Sequence, residues 1–328
     1  MLGPYRRRLQ LSGNSTLIVS LPKIWAEKVG LKKLDEVLLI PVGERAMLIQ
    51  MEEHDSRVTS VEAGPDDESG DVIRELFARY LSGFDRITLR FSSPASMLAG
   101  EVKEKVRRWL IGVEVVEESA MHMEIQCLPM HTSLPLKRAM ERMAGIASNM
   151  QVDAFAAMFR GDVELASEVV ARDDDVDRFY HFIIRQLNLA VANPIFLHSL
   201  ELSSSQDCLG YMLAAKSIER AADHAVSICK LVRSVKGWKI SPPMRNIAKH
   251  VNEVFRDSIN ALLASDSRKA HKTISRAAKL SEVIEGTAAS LVYPNRLAVW
   301  NIKRMAEYAE DIAEAAVNVS SRSQRQDI

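Results

Sequence analysis

The spacing of apolar and polar residues divides the chain into three regions. In residues 1 to about 52 the pattern is short and strand-like. RRLQL alternates, SGNS supplies a turn, and TLIVSL is a β-rich run. Pro22 suits the first turn of a short helix, KIWAEKV, which Gly30 closes. EVLLIPV and AMLIQM, with Gly43 in the turn between them, predict a hairpin. So few residues bury little surface alone, and a homodimer through this region is expected. Trp25 on the short helix is expected in its core.

Residues 53 to about 129 mix the two periods. The strand RVTSVEA is followed by the acidic stretch PDDESGD, the helix VIRELFARYLSG, the strand DRITLRF and the helix SMLAGEVKEKVRRWLIG. VEVVEES and MHMEIQCL close the series as a hairpin, giving the order βαβαββ. No Gly-rich phosphate loop, nucleophile elbow or ligand cluster is visible there, and no role is assigned to this region.

From residue 130 onward helical periodicity dominates. Segments at about 134–160, 162–193, 204–236, 242–264, 267–291 and 295–321 are separated by Gly161, Pro194, Gly237, Pro242, Pro243 and Pro294. Six such helices form either one large bundle or two three-helix bundles. An internal repeat favours two, at about 134–236 and 241–322. A shift of 84 residues places SIERAADHAVSIC on NIKRMAEYAEDIA, with Ile218 on Ile302, Ala222 on Ala306 and Ala225 on Ala309. The expected fold class is multidomain and mainly α: a small β domain, a βαβαββ domain and a pair of three-helix bundles. The Met-rich stretch Met140, Met143, Met150 and Met158 is read as packing.

Composition narrows the function classes. The 328 residues carry 43 Lys+Arg and 43 Asp+Glu, so any bias toward nucleic acid must be local. Such a bias exists in residues 1–50. Arg6, Arg7, Arg8, Lys23, Lys28, Lys32, Lys33 and Arg45 oppose Glu27, Asp35, Glu36 and Glu44. Arg6, Arg7 and Arg8 are the first candidates for phosphate contacts, Lys23 the next, and Asn14 for a base edge. The three cysteines are far apart, which indicates a reducing compartment and a cytoplasmic protein. No apolar run reaches the length of a membrane span, and no signal peptide is read at the N-terminus.

The candidate chemistry lies in the first helical half. Glu219 and Asp223 stand four residues apart on a helix rich in small apolar residues, where like charges repel. Asp173 and Asp177 repeat the spacing on the preceding long helix. Antiparallel neighbours would bring the four carboxylates together as oxygen donors, and a cation between them would turn repulsion into attraction. A divalent or trivalent ion is expected, with iron, magnesium, manganese or zinc as candidates. Oxygen donors suit magnesium, manganese, calcium or iron better than a structural zinc. His181 could add a nitrogen, and His224 points about 100° away from Asp223. Ordinary surface ion pairs with Lys216 and Arg220 would explain Glu219 and Asp223 equally well. The second half lacks the pattern, with Lys303 in place of the glutamate and Ala278 or Lys279 where Asp173 and Asp174 map. No separate nucleophile or base is visible, so an enzyme is not expected, although a di-metal site could activate water.

Two resemblances give these features a context. DDDVDRFYHFIIRQL (173–187), AAKSIERAADHAVSICK (214–230) and the weaker NIKRMAEYAEDIAEAAVN (301–318) resemble the PhoU family of phosphate-uptake regulators. That resemblance implies two three-helix bundles and metal clusters held by D/E-x-x-x-D motifs, here Asp173, Asp177, Glu219 and Asp223. RRRLQLSGNSTLIVSLPKIWAEKVGLKKLDEVLLIPV looks like the AbrB-type swapped-hairpin domain, which implies an interlaced dimer that binds DNA. Domains are accordingly expected at 1–52, 53–129 and 130–328. The combined reading is a dimeric, phosphate-responsive DNA-binding regulator. Its alternative is an adaptor that does not bind DNA and restrains a phosphate ABC transporter or a signalling kinase.

Overall fold

The computed structural model of the chain describes residues 4–42, 46–50, 56–128, 133–238, 240, 244–288 and 291–323. It separates into two compact units, residues 1–55 and 56–328.

In the first unit, β1 (Gln10–Ser12) and β2 (Thr16–Ile18) form one antiparallel hairpin. After α1 (Lys23–Lys28), β3 (Leu38–Val42) and β4 (Ala46–Gln50) form another. The expected elements are all present; the turn residue Gly43 lies outside the described residues. None of the described side chains in this unit is buried. Leu11 is 66% exposed, Leu17 62% and Met47 60%. Trp25, expected in a core, is only half-buried within the single chain. Two lone hairpins with exposed apolar faces are not independently stable in water.

The second unit begins with β5 (Val58–Ala63), α2 (Ser69–Leu81), β6 (Arg86–Phe91), α3 (Ser96–Trp109), β7 (Val113–Glu118) and β8 (His122–Cys127). This is the expected βαβαββ order. The sheet order is β5-β6-β8-β7: β5 runs parallel to β6, and β8 lies antiparallel between β6 and β7. Strand alternation sends Val61, Ile87, Leu89, Met123 and Ile125 to one face, where they meet Val72, Leu76, Val102 and Val106 of α2 and α3.

Long helices follow: α4 (Leu136–Arg160), α5 (Val163–Ala192), α7 (Ser205–Ser234), α8 (Met244–Leu263), α9 (Ser267–Ala288) and α10 (Asn295–Ser323). A short α6 (Pro194–Ser199) follows α5. Pro194, read as punctuation, instead opens α6 at its first helical position. Asn193 Oδ1 accepts from the Ile195 and Phe196 amides. Gly161, with φ +69°, ends α4 in the left-handed conformation.

Helices α4, α5 and α7 pack together, as do α8, α9 and α10. Helices α7 and α10 join the halves, and one continuous core runs through both. The repeat is visible in burial: Ile218 and Ile302, Ala222 and Ala306, and Ala225 and Ala309 are all fully buried. Met140, Met143, Met150 and Met158 are core residues.

The two repeats pack together along α7 and α10. A Cβ on Gly210 would lie 2.6 Å from Val319 Cγ2. Gly210→Ala is expected to cost about 1–3 kcal/mol of stability, because the contact must open or Val319 must shift. Urea unfolding checks this, and a variant as stable as the parent would show that the contact yields freely.

Candidate metal site

Helices α5 and α7 present their acidic residues to one another. Asp173 and Asp177 are half-buried on α5. Burial first, then Asp173, Glu219, Asp223 and Asp174 in that order, push the Asp177 carboxyl up to about 7. Asp173 is pushed up to about 6 by burial and then by Asp223, Glu219 and Asp174, with Lys230 opposing. All four predicted carboxylates therefore share one electrostatic environment, and its excess charge is negative.

Sharing a field differs from forming a ligand set. Among the described residues, no three His, Cys, Asp or Glu side chains are grouped to hold a metal ion. Two of the four also have ordinary partners. Lys216 Nζ lies 2.7 Å from Glu219 Oε2, and Arg220 Nη1 lies 3.8 Å from Asp223 Oδ2. No hydrogen bond or ion pair within the described residues engages Asp173 or Asp177. The electrostatics and the hard oxygen donors fit a cation, but the side chains as placed do not form a ligand set.

The histidines are committed elsewhere. His181 Nδ1 donates to Trp109 O at 3.3 Å, and its ring meets Phe77 edge-on, with centroids 5.4 Å apart. Burial lowers its pKa. The expectation that His181 adds a nitrogen to the cluster is thus met by a side chain engaged with α2 and α3. His224, turned away from Asp223 as expected, has Nδ1 2.7 Å from Asn301 Oδ1 and stacks on Tyr308.

In the second half the built-in cation Lys303 stands at the position of Glu219. Its Nζ lies 3.2 Å from Glu285 Oε2 and 3.6 Å from Glu307 Oε1. The repulsion that marks the first half is neutralised there by the chain itself.

The sequence reading missed how the βαβαββ layer is attached to this helix. Asp174, between the two cluster aspartates, accepts from Arg108 Nε at 2.6 Å and from Trp109 Nε1 at 2.9 Å. Farther along α5, Arg185 donates to Tyr80 O at 2.6 Å, and Asn188 donates to Leu81 O at 2.8 Å. Asp174, His181, Arg185 and Asn188 form one stripe of α5. The only available signal was polar residues recurring at helical spacing on a mainly apolar helix.

The predicted DNA-contacting residues lie in the other unit. Arg6, Arg7 and Arg8 precede β1, Asn14 lies in the β1–β2 turn, and Lys23 opens α1, so three segments carry them. All are exposed, and Lys23 Nζ lies 3.6 Å from Glu27 Oε1. Among the described residues, no helix is long and apolar enough to cross a membrane.

Residues 140–232 match the family model described as the PhoU domain. A Caulobacter vibrioides protein named "Phosphate-specific transport system accessory protein PhoU homolog" is 29% identical over 98 residues, 30% of this chain and 39% of that protein. A Clostridium acetobutylicum protein of the same name is 24% identical over 140 residues, 41% of this chain and 62% of that protein. The matches thus span less than two thirds of either relative. The crystal structure of PhoU from Streptococcus pneumoniae has a TM-score of 0.47 and 19% identity, covering 57% of this chain and 94% of that one. The sequence match runs from α4 to α7 and encloses Asp173, Asp177, Glu219 and Asp223, and over these residues the chain is PhoU-like.

Proposed function

We propose that the protein regulates phosphate transport as a PhoU-type accessory protein, with a cation held between α5 and α7 by Asp173, Asp177, Glu219 and Asp223. The observation that carries the reading is the PhoU-domain match over the helices bearing those carboxylates. The names of the relatives support the phosphate-transport part. The mutual elevation of the Asp173 and Asp177 pKa values supports the cation part. A bound ion would neutralise the cluster and draw the facing helices together, and the protein would act on its partner by contact rather than turnover. The partner would be a phosphate ABC transporter or a signalling protein beside it. Phosphate uptake in phosphate-replete cells tests this reading. Loss of the protein should release uptake, and re-expression should restore restraint. Unchanged uptake in both strains would refute it.

Of the two expectations, the adaptor is the one the relatives' names support, and DNA binding has no counterpart among them. It is kept as a second reading on one observation: residues 4–50 contain no described buried side chain, so this unit calls for a second copy. The local excess of four positive charges over residues 1–50 would be doubled in such a pair. Charge reversal of Arg6, Arg7 and Arg8 is expected to weaken duplex binding and flatten its salt dependence while the dimer persists. Gel-shift titrations at several salt concentrations measure both. Affinity and salt slope equal to the parent's would leave the unit a dimerisation device.

A further inference from the structure

We propose that the end of the helical unit where α7 finishes and α10 begins is a docking surface for an acidic peptide segment of a partner protein, anchored by an apolar side chain. The inference starts from a gap in the sequence. No Asp or Glu lies between Asp223 and Glu253, a stretch holding Lys230, Arg233, Lys236, Lys239, Arg245 and Lys249. None lies between Glu285 and Glu307, where Arg296, Lys303 and Arg304 occur. The chain is neutral overall, so both stretches concentrate positive charge.

The fold brings the two stretches together. Helices α7 and α10 run antiparallel: Gly210 faces Val319, His224 meets Asn301, and Trp238 Nε1 donates to Asn295 Oδ1 at 2.6 Å. The acid-free end of α7 therefore lies against the acid-free start of α10. Lys230, Arg233, Lys236 and Arg296 are exposed, and no ion pair engages them among the described residues. Lys303 and Arg304 are already paired with Glu285 and Glu307 and belong to the bundle.

The same place exposes apolar surface. Leu297 is 40% exposed and Trp300 51%, a short stripe on one side of α10, and Tyr293, 65% exposed, lies two residues before that helix. Between this stripe and α7 lies a cleft of about 380 Å³, lined by Ser227, Lys230, Leu231, Leu297, Trp300 and Asn301 among others. One wall thus offers an ammonium and a hydroxyl, and the other an indole and a leucine. Exposed aromatic residues beside unpaired cations are the composition of an interface hot spot. A lipid surface would need the aromatic groups at a protruding tip, whereas these flank a concavity. Concavity and charge together favour a peptide that inserts one apolar side chain and lays carboxylates on the rim, as a helix does in a groove. Lys230 also faces Asp173 electrostatically, so the test rests on Arg233, Arg296 and Trp300, which have no interaction with the α5–α7 carboxylates among the described residues.

The test uses the full chain and a short fluorescein-labelled helical peptide with leucine and phenylalanine on one stripe and glutamate elsewhere, read by fluorescence anisotropy. Controls are the same peptide with lysine for glutamate, and vesicles of phosphatidylcholine with phosphatidylserine. The acidic peptide should bind with an affinity that falls as salt is raised. Trp300→Ala and the double variant Arg233→Glu/Arg296→Glu should each weaken it by about tenfold or more, with unchanged circular dichroism. Both variants alter exposed residues, so loss of folding does not confound them. The lysine peptide should not bind. Binding of the acidic peptide that ignores both variants, or no binding at all, overturns the proposal. So does variant-sensitive binding to vesicles without binding to peptide. Self-association abolished by Trp300→Ala would reassign the surface to a second copy and also overturn it.

Discussion

Replacing Arg185 with alanine will destabilise residues 56–323 by about 2–4 kcal/mol, the largest effect expected of any single substitution outside the apolar core. Arg185 is 7% exposed on α5. Its guanidinium donates to Tyr80 O at 2.6 Å, lies 3.2 Å from Asp85 Oδ1, and stands 5.0 Å above the Tyr80 ring. Asp85 in turn accepts from the Arg57 amide, so one side chain ties α5 to the end of α2 and the start of the sheet. Truncation takes one of two donors from the Tyr80 carbonyl, which keeps the Gly83 amide at 3.0 Å, removes packing from a buried ring and leaves Asp85 without its cation. The melting temperature should fall by about 5–10 °C. Arg108→Ala, which removes a half-exposed partner of Asp174, should cost under about 1 kcal/mol. Equal effects of the two variants would mean that Arg185 does not hold the layer.

Asp177→Asn should have the opposite sign. In the folded protein the Asp177 carboxyl sits near 7, raised from an ordinary 3.8 by burial and then by Asp173, Glu219 and Asp223. A raised folded-state pKa means that the native state holds the proton more tightly than the unfolded chain. The charged form therefore costs stability above about pH 7, and the cost fades as pH falls from 7 toward 4. Asp177 keeps solvent contact, so screening reduces the shift's worth, and a gain of about 1–2 kcal/mol at pH 8 in chelator is expected. The gain should vanish near pH 4. Added divalent cation should reverse the order, stabilising the parent more than the variant, because ligand binding to the native state stabilises it by mass action. Chelator and cation melts across pH provide the check. A variant less stable than the parent at pH 8 in chelator would mean that Asp177 is not a repelled group.

How much of this was legible in the sequence depended on the range of the interactions. The six long helices were readable to within a few residues because each carries its own period and punctuation, as at Gly161 and Pro294. The βαβαββ order was readable for the same reason. Helix α6 was not, because Asn193-Pro194 is both a helix stop and a helix start, and the local signal does not choose. The acidic face was legible from like charges at one-turn spacing on two helices that had to be neighbours. The attachment of the sheet layer was not, since Arg185 and Asn188 find their partners about a hundred residues earlier in the chain. The smallness of the first unit predicted that it could not bury its own surface. The exposed Leu11, Leu17 and Met47 agree with that physical argument.

The central proposal is that the mutually repelling carboxylates of α5 and α7 hold a cation between them. Elemental analysis of the purified full chain, beside a variant carrying Asp177→Asn and Asp223→Asn, tests it most directly. Tightly retained metal in the parent and its loss in the folded variant are the expected result. Equal metal content in the two proteins, or none in the parent after equilibration with iron, manganese or magnesium, would contradict it.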